Sequence, residues 1–134
     1  MARPHKVRKL LTPPLMAGFR PFGMPRNQGE VIKLTFEEFE SIKLINYDKL
    51  SQDEAASLMN ISRPTFTRIY NKALQTIAVA FVEGRPVNIE GGKGQFETEW
   101  FRCNQCHKLI AGIESHIRCS NCSHYSTNEL QKLV

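Results

Sequence analysis

The segment Leu50–Tyr70, LSQDEAASLMNISRPTFTRIY, constrains the fold more tightly than any other part of the chain. Ser51 and Ser62 each precede a run with helical apolar spacing, and Asn60 falls between the two runs. The pattern predicts two helices joined by a tight turn, the layout that sets a second helix into the major groove of DNA. Ala55 and Ala56 supply the small side chains needed where two helices cross. Asn60 tolerates the left-handed backbone of such a turn. Ala55, Met59, Ile61, Phe66 and Ile69 stand where one helix must clamp the other.

Three helix starts carry the same physical signature. Thr35 is followed by Glu38 and Ser51 by Glu54, the spacing of a capping box in which hydroxyl and carboxylate each satisfy an amide of the first turn. Ser62 caps the third helix, with Arg63 and Pro64 in a first turn where a missing amide does little harm. Leu34 with Phe39, Leu50 with Ala55, and Ile61 with Phe66 are spaced as hydrophobic staples around these caps. The helices are expected from Phe36 to about Tyr47, from Gln52 to Met59, and from Arg63 to about Val82, where Glu83-Gly84-Arg85-Pro86 stops the last. Val31, Ile32 and Leu34, and later Val87 to Ile89, read as short extended segments.

In the third helix Phe66, Ile69, Ala73, Ile77 and Ala80 share one face, with Tyr70, Leu74 and Phe81 beside them. The opposite side is polar and cationic, with no acid between Arg63 and Glu83. Ser62, Arg63, Thr65, Thr67, Arg68, Asn71 and Lys72 are the candidate DNA-binding residues there. Arginine pairs bidentately with guanine and asparagine with adenine, each worth about 1–3 kcal/mol of discrimination. Arg63, Arg68 and Asn71 are therefore assigned to bases, and Ser62, Thr67 and Lys72 mainly to phosphates.

Charge is uneven along the chain. Residues 1–26 carry six basic residues and no acid, within a net charge of +5 for the whole. The prolines and glycines of residues 1–29 exclude a long helix. This stretch reads as an extended arm whose Arg3, Lys6, Arg8 and Lys9 lie along a polyanion backbone or enter a minor groove.

Cys103-x-x-Cys106 and Cys119-x-x-Cys122 are separated by twelve residues. Two such pairs on hairpins can place four thiolates around a tetrahedral zinc ion, as in a zinc ribbon, and iron is the alternative metal for the same ligands. A ribbon this small depends on its metal to fold. No apolar run reaches membrane-span length and the N-terminus lacks a secretory core, so a cytoplasmic location is expected. In that reducing compartment metal ligation outranks disulfides. The cluster of Glu37, Glu38 and Glu40 reads as a solvated helix start, and no serine or cysteine has an evident base partner, so catalysis is not expected.

The sequence resembles a family of small, uncharacterised prokaryotic proteins predicted to bind DNA, whose helix-turn-helix is similar to region 4 of the sigma-70 class of RNA polymerase sigma factors. The matching blocks are the opening MARP, PPLMAGFRPFG from Pro13, LTFEEFESIKL from Leu34, LSQDEAASLMNISRPTFTRIYNKA from Leu50, and VEGRPVNIEGG from Val82. Lys43 stands where arginine is commoner in that family and Ser41 where alanine is commoner. The resemblance implies DNA binding and transcriptional control, and it does not extend to the cysteine segment.

The expected fold class is mainly α: a trihelical, sigma-70 region-4-like domain at residues 31–90 with an extended basic arm at 1–30. A Gly-rich linker at 91–95 then leads to a small β zinc ribbon and tail at 96–134. The expected function is that of a sequence-specific transcriptional regulator, with duplex DNA as partner and RNA polymerase as a further docking partner. Two alternatives come from other classes: a metal-dependent redox protein or sensor using the four cysteines, and an RNA-associated adaptor. The oligomeric state is not readable from the sequence.

Overall fold

The computed structural model describes residues 7–25, 29–103, 108–112 and 130–132. They form two compact units. The first comprises the described residues within 1–10 and 16–95, the second those within 11–15 and 96–134.

Local chemistry sets the helices of the first unit. Helix α1 (Phe36–Ile42) begins where the Thr35 hydroxyl accepts the Glu38 amide at 3.2 Å. Helix α2 (Gln52–Leu58) begins where Ser51 accepts the Glu54 amide at 3.2 Å, and the Ser51 hydroxyl donates to the Glu54 carboxylate at 3.0 Å. The capping box at Ser51 is thus closed side chain to side chain. Helix α3 (Arg63–Glu83) starts at Ser62 and stops at Gly84, whose φ of 65° is the left-handed cap that an L side chain rarely adopts. Asn60 takes φ 57° in the turn between α2 and α3.

α1 is shorter than the apolar spacing suggests. From Lys43 to Tyr47 the chain widens into a π-helical turn, closed by the Asp48 amide on the Lys43 carbonyl at 2.8 Å. Lys49, at φ 62°, then turns the chain into α2.

Short strands knit the helices together. Strand β4 (Val87–Ile89) is the centre of a three-stranded sheet, antiparallel to β2 (Gly18–Phe19) and parallel to β3 (Ile32–Leu34). A Cβ on Gly18 would lie 2.0 Å from the Val87 carbonyl oxygen, so only glycine allows β2 this close to β4. Leu34, Val87 and Ile89 from this sheet meet Ala73 and Ala80 of α3, with Phe36, Phe39, Ile42 and Ile77 packed around them. The two alanines let the helix backbone approach the sheet. Ala55, Ala56, Met59 and Phe66 form the buried contact of α2 with α3. Full burial of a side chain the size of Phe66 contributes about 1.5–3 kcal/mol.

The N-terminal segment is part of this fold. Strand β1 (Arg8–Leu10) pairs with β5 (Gly94–Phe96). The Lys9 amide donates to the Met59 carbonyl at 2.9 Å, and the Asn60 side-chain amide donates to the Val7 carbonyl at 3.1 Å. The chain before α1 is therefore stitched across the α2–α3 turn. Gly91 and Gly94 are equally engaged: the Gly91 carbonyl accepts the Phe36 amide, and Gly94 sits against Leu10.

In the second unit β6 (Trp100–Cys103) lies between β7 (Leu109–Ala111) and β8 (Leu130–Lys132), antiparallel to both. β8 follows the second cysteine pair in sequence.

The expected fold class is overturned. Among the described residues three α-helices stand beside eight strands in three small sheets, a mixed architecture and not a mainly α trihelical domain with a zinc ribbon. The physical reason is that residues before α1 pair with residues that follow α3, and the segments after Phe96 pair among themselves. Strands of two to four residues satisfy those amides without leaving a recognisable alternation in sequence.

Candidate nucleic-acid interface

The polar residues at the start of α3 are held by their cap and by α2. Ser62 accepts the Thr65 amide at 3.4 Å and its hydroxyl donates to the Thr65 hydroxyl at 2.9 Å. Thr67 is half-buried, and its hydroxyl donates to Gln52 of α2 at 2.6 Å. Arg63 reaches Asp53 of α2 at 3.1 Å, with both side chains more than half exposed. Such a surface pair is worth about 0–1 kcal/mol and exchanges readily for another anion.

Arg68 is exposed, and its Nε donates to the Pro64 carbonyl at 3.4 Å. Asn71 is exposed on the next turn. Lys72 is exposed as well and lies 3.8 Å from the buried Glu38 carboxylate. Tyr70 stacks on Phe66 at 6.1 Å and donates from its hydroxyl to Asn46 at 2.8 Å, which fixes the side of α3 next to the π-helical turn. The structure brings Arg63, Arg68 and Asn71 onto the accessible surface of one helix. Ser62, Thr65 and Thr67 serve the cap and the α2 contact.

The basic arm is divided. Arg8 forms an ion pair with Glu37, whose carboxylate also accepts the Lys93 amide. Its partner is thus a buried carboxylate of its own chain. Lys9 is exposed, and its backbone belongs to β1. Arg3 and Lys6 lie outside the described residues.

Glu37, Glu38 and Glu40 do not form the solvated surface expected of them; all three are buried, Glu40 to 1 % exposure. Lys43 approaches Glu40 at 3.8 Å. Arg8, Lys43 and Lys72 surround this acidic start of α1 and offset its charge.

Of the four cysteines, Cys106, Cys119 and Cys122 lie outside the described residues. Cys103 is buried at the end of β6, and its amide donates to the Lys108 carbonyl at 3.0 Å, closing the base of the β6–β7 hairpin. Among the described residues no group of three or more His, Cys, Asp or Glu is arranged to hold a metal. No helix among them is long and apolar enough to cross a membrane.

Sequence reasoning missed Gln52 and Asp53, which orient Thr67 and Arg63. Their positions at the start of α2 were legible, but their partners ten to fifteen residues on were not.

The chain belongs to the family described as protein of unknown function DUF134, whose model matches residues 1–98. It is 35 % identical over 133 residues to a UPF0251 protein of Chloroherpeton thalassium, covering 98 % of this chain and 88 % of the relative. A UPF0251 protein of Methanothermobacter thermautotrophicus is 33 % identical over 129 residues, 96 % of this chain and 67 % of its own length. One from Thermoanaerobacter sp. is 42 % identical over 92 residues, 69 % of this chain and 81 % of its own length. The homologues are prokaryotic. No solved structure matches the chain.

Proposed function

We propose that this protein binds duplex DNA in a sequence-dependent way through the first turns of α3 and acts as a transcriptional regulator. The observation that carries the proposal is the exposed group of Arg63, Arg68 and Asn71 on a capped helix braced by α2. The amino end of a helix adds positive potential to that of the two arginines. The nearest acid on α2, Asp53, is held only in an exchangeable surface pair. Arg68 and Asn71 are the base-reading residues of the proposal. Arg63 exchanges Asp53 for a phosphate or a base edge.

Selection of bound sequences from a random duplex pool tests this directly. An enriched motif is expected, and Arg68→Ala should weaken binding to it by about 1–3 kcal/mol. Retention of no sequence above background, or affinity unchanged by Arg68→Ala at moderate salt, removes α3 as the reader.

We also propose that Cys103, Cys106, Cys119 and Cys122 hold one zinc ion. The spacing supports this, as does the hairpin closed between Cys103 and Lys108. Zinc would be a structural ion for the second unit. Metal analysis of the purified chain should find zinc, lost on Cys103→Ser; a metal-free, fully folded protein would exclude it.

A further inference from the structure

Asn60 does more than its turn requires. The turn between α2 and α3 needs a residue that takes φ 57°, and glycine meets that need at least as well as asparagine. The side chain of Asn60 is engaged elsewhere: its amide donates to the Val7 carbonyl at 3.1 Å, 53 positions away in sequence. One residue before it, the Met59 carbonyl accepts the Lys9 amide at 2.9 Å. Two bonds, one on either side of Arg8, thus lay β1 across the turn. Strand alternation then sorts the side chains. Arg8 turns to the buried Glu37 carboxylate, and Leu10 is buried against Gly94. Lys9, between them, faces outward and is exposed.

We infer that Asn60 is a positioning residue for DNA binding: it holds β1 beside the amino end of α3, so that Lys9 grips the phosphate backbone of the duplex that α3 reads. The inference rests on the DNA-reading role proposed for α3 and adds a second element to it. Distance supports it. Met59, which holds the Lys9 amide, and Ser62, which caps α3, are three residues apart, so at most about 11 Å of backbone separates them. The major groove is about 12 Å wide. A helix start inside the groove and a lysine one groove-width away meet the same duplex, one at the base edges and the other at the phosphate wall. Charge supports it as well. The Glu37 carboxylate beside the strand is already paired with Arg8, so it does not compete for Lys9. A phosphate contact carries no sequence information, so Lys9 adds affinity and fixes register while Arg68 and Asn71 read bases.

Titration of the full chain with a mixed-sequence duplex, from about 50 to 200 mM salt, tests this. Lys9→Ala should lower the slope of log affinity against log salt by about 0.9, the value of one phosphate contact. Asn60→Gly keeps the left-handed backbone and removes only the side-chain bond, and it should weaken binding several-fold with a shallower slope. In the Lys9→Ala background it should weaken binding little further, because the side chain it positions is gone. The affinity ratio between a selected motif and the mixed duplex should stay the same in both variants. Lys9 is exposed, so Lys9→Ala keeps the fold whatever Asn60 contributes to stability. A salt slope unchanged by Lys9→Ala overturns the inference. So does an Asn60→Gly chain that binds like the wild type, or one whose loss persists in full when Lys9 is already alanine. Such results alongside binding that Arg68→Ala still weakens leave α3 as the reader on its own; a chain that binds no duplex overturns both.

Discussion

Arg8 and Arg68 carry the same side chain to opposite ends. Arg68 faces solvent on α3, while Arg8 is committed to the buried carboxylate of Glu37. Removing a partner from a buried charged group costs its desolvation as well as the lost bond. Arg8→Ala should therefore destabilise the protein by about 2–3 kcal/mol, and Arg68→Ala should stay within about 0.5 kcal/mol, both read as shifts in the urea midpoint at unchanged slope. Equal shifts would mean that the Arg8 contact contributes nothing. Gly92 belongs to the same cluster: at φ +99° a Cβ there would lie 2.9 Å from a Glu37 carboxylate oxygen. The acidic run of α1 was misread because burial is not a property of the run. Glu37 is covered by residues 29 positions before and 56 positions after it. Gly18 is the sharpest steric case. Gly18→Ala should force β2 away from the Val87 carbonyl and cost about 1–3 kcal/mol or more, visible as a lower thermal midpoint. An unshifted midpoint would show that β2 yields freely.

At the scale of elements, the helices were legible and the strands largely were not. Thr35, Ser51 and Ser62 act within three residues of themselves, so sequence distance and spatial distance coincide. Asn60 and Gly84 are equally local, each taking a positive backbone φ that its own residue type tolerates. The crossing of α2 and α3 was legible for the same reason, since Ala55 and Ala56 are the small residues of that segment and both are buried. Ala55→Leu should therefore overpack the crossing, costing about 1–3 kcal/mol and loosening α3 from α2. Hydrogen exchange would then accelerate at α3 amides around Phe66; unaltered protection would argue against a tight crossing. Ile32–Leu34 and Val87–Ile89 were recognised as extended but not as partners. β2 and β5 were missed because two or three residues hold no periodicity to read. The π-helical turn was missed as well, since the apolar spacing of α1 runs through it unbroken.

For the whole molecule, the proposed DNA contact lies at the amino end of α3, where its charge decides how binding responds to salt. Binding should weaken steeply with salt, and the slope should fall for Arg63→Ala if that residue takes a phosphate. A slope indifferent to Arg63 would leave it with Asp53.

The order of the three α-helices, their caps, the α2–α3 turn and the residues at that crossing were determined by the sequence alone. Each depends on a neighbour a few positions away. The tertiary structure decided the rest: which charges are buried, that the basic segment forms β1 and β2, and that Gly91 to Gly94 close over α1. It also decided that Leu74, Phe81 and Val82 of α3 stay exposed. These outcomes depend on pairings between residues tens of positions apart, and a chain's local pattern carries no record of which distant backbone will reach it.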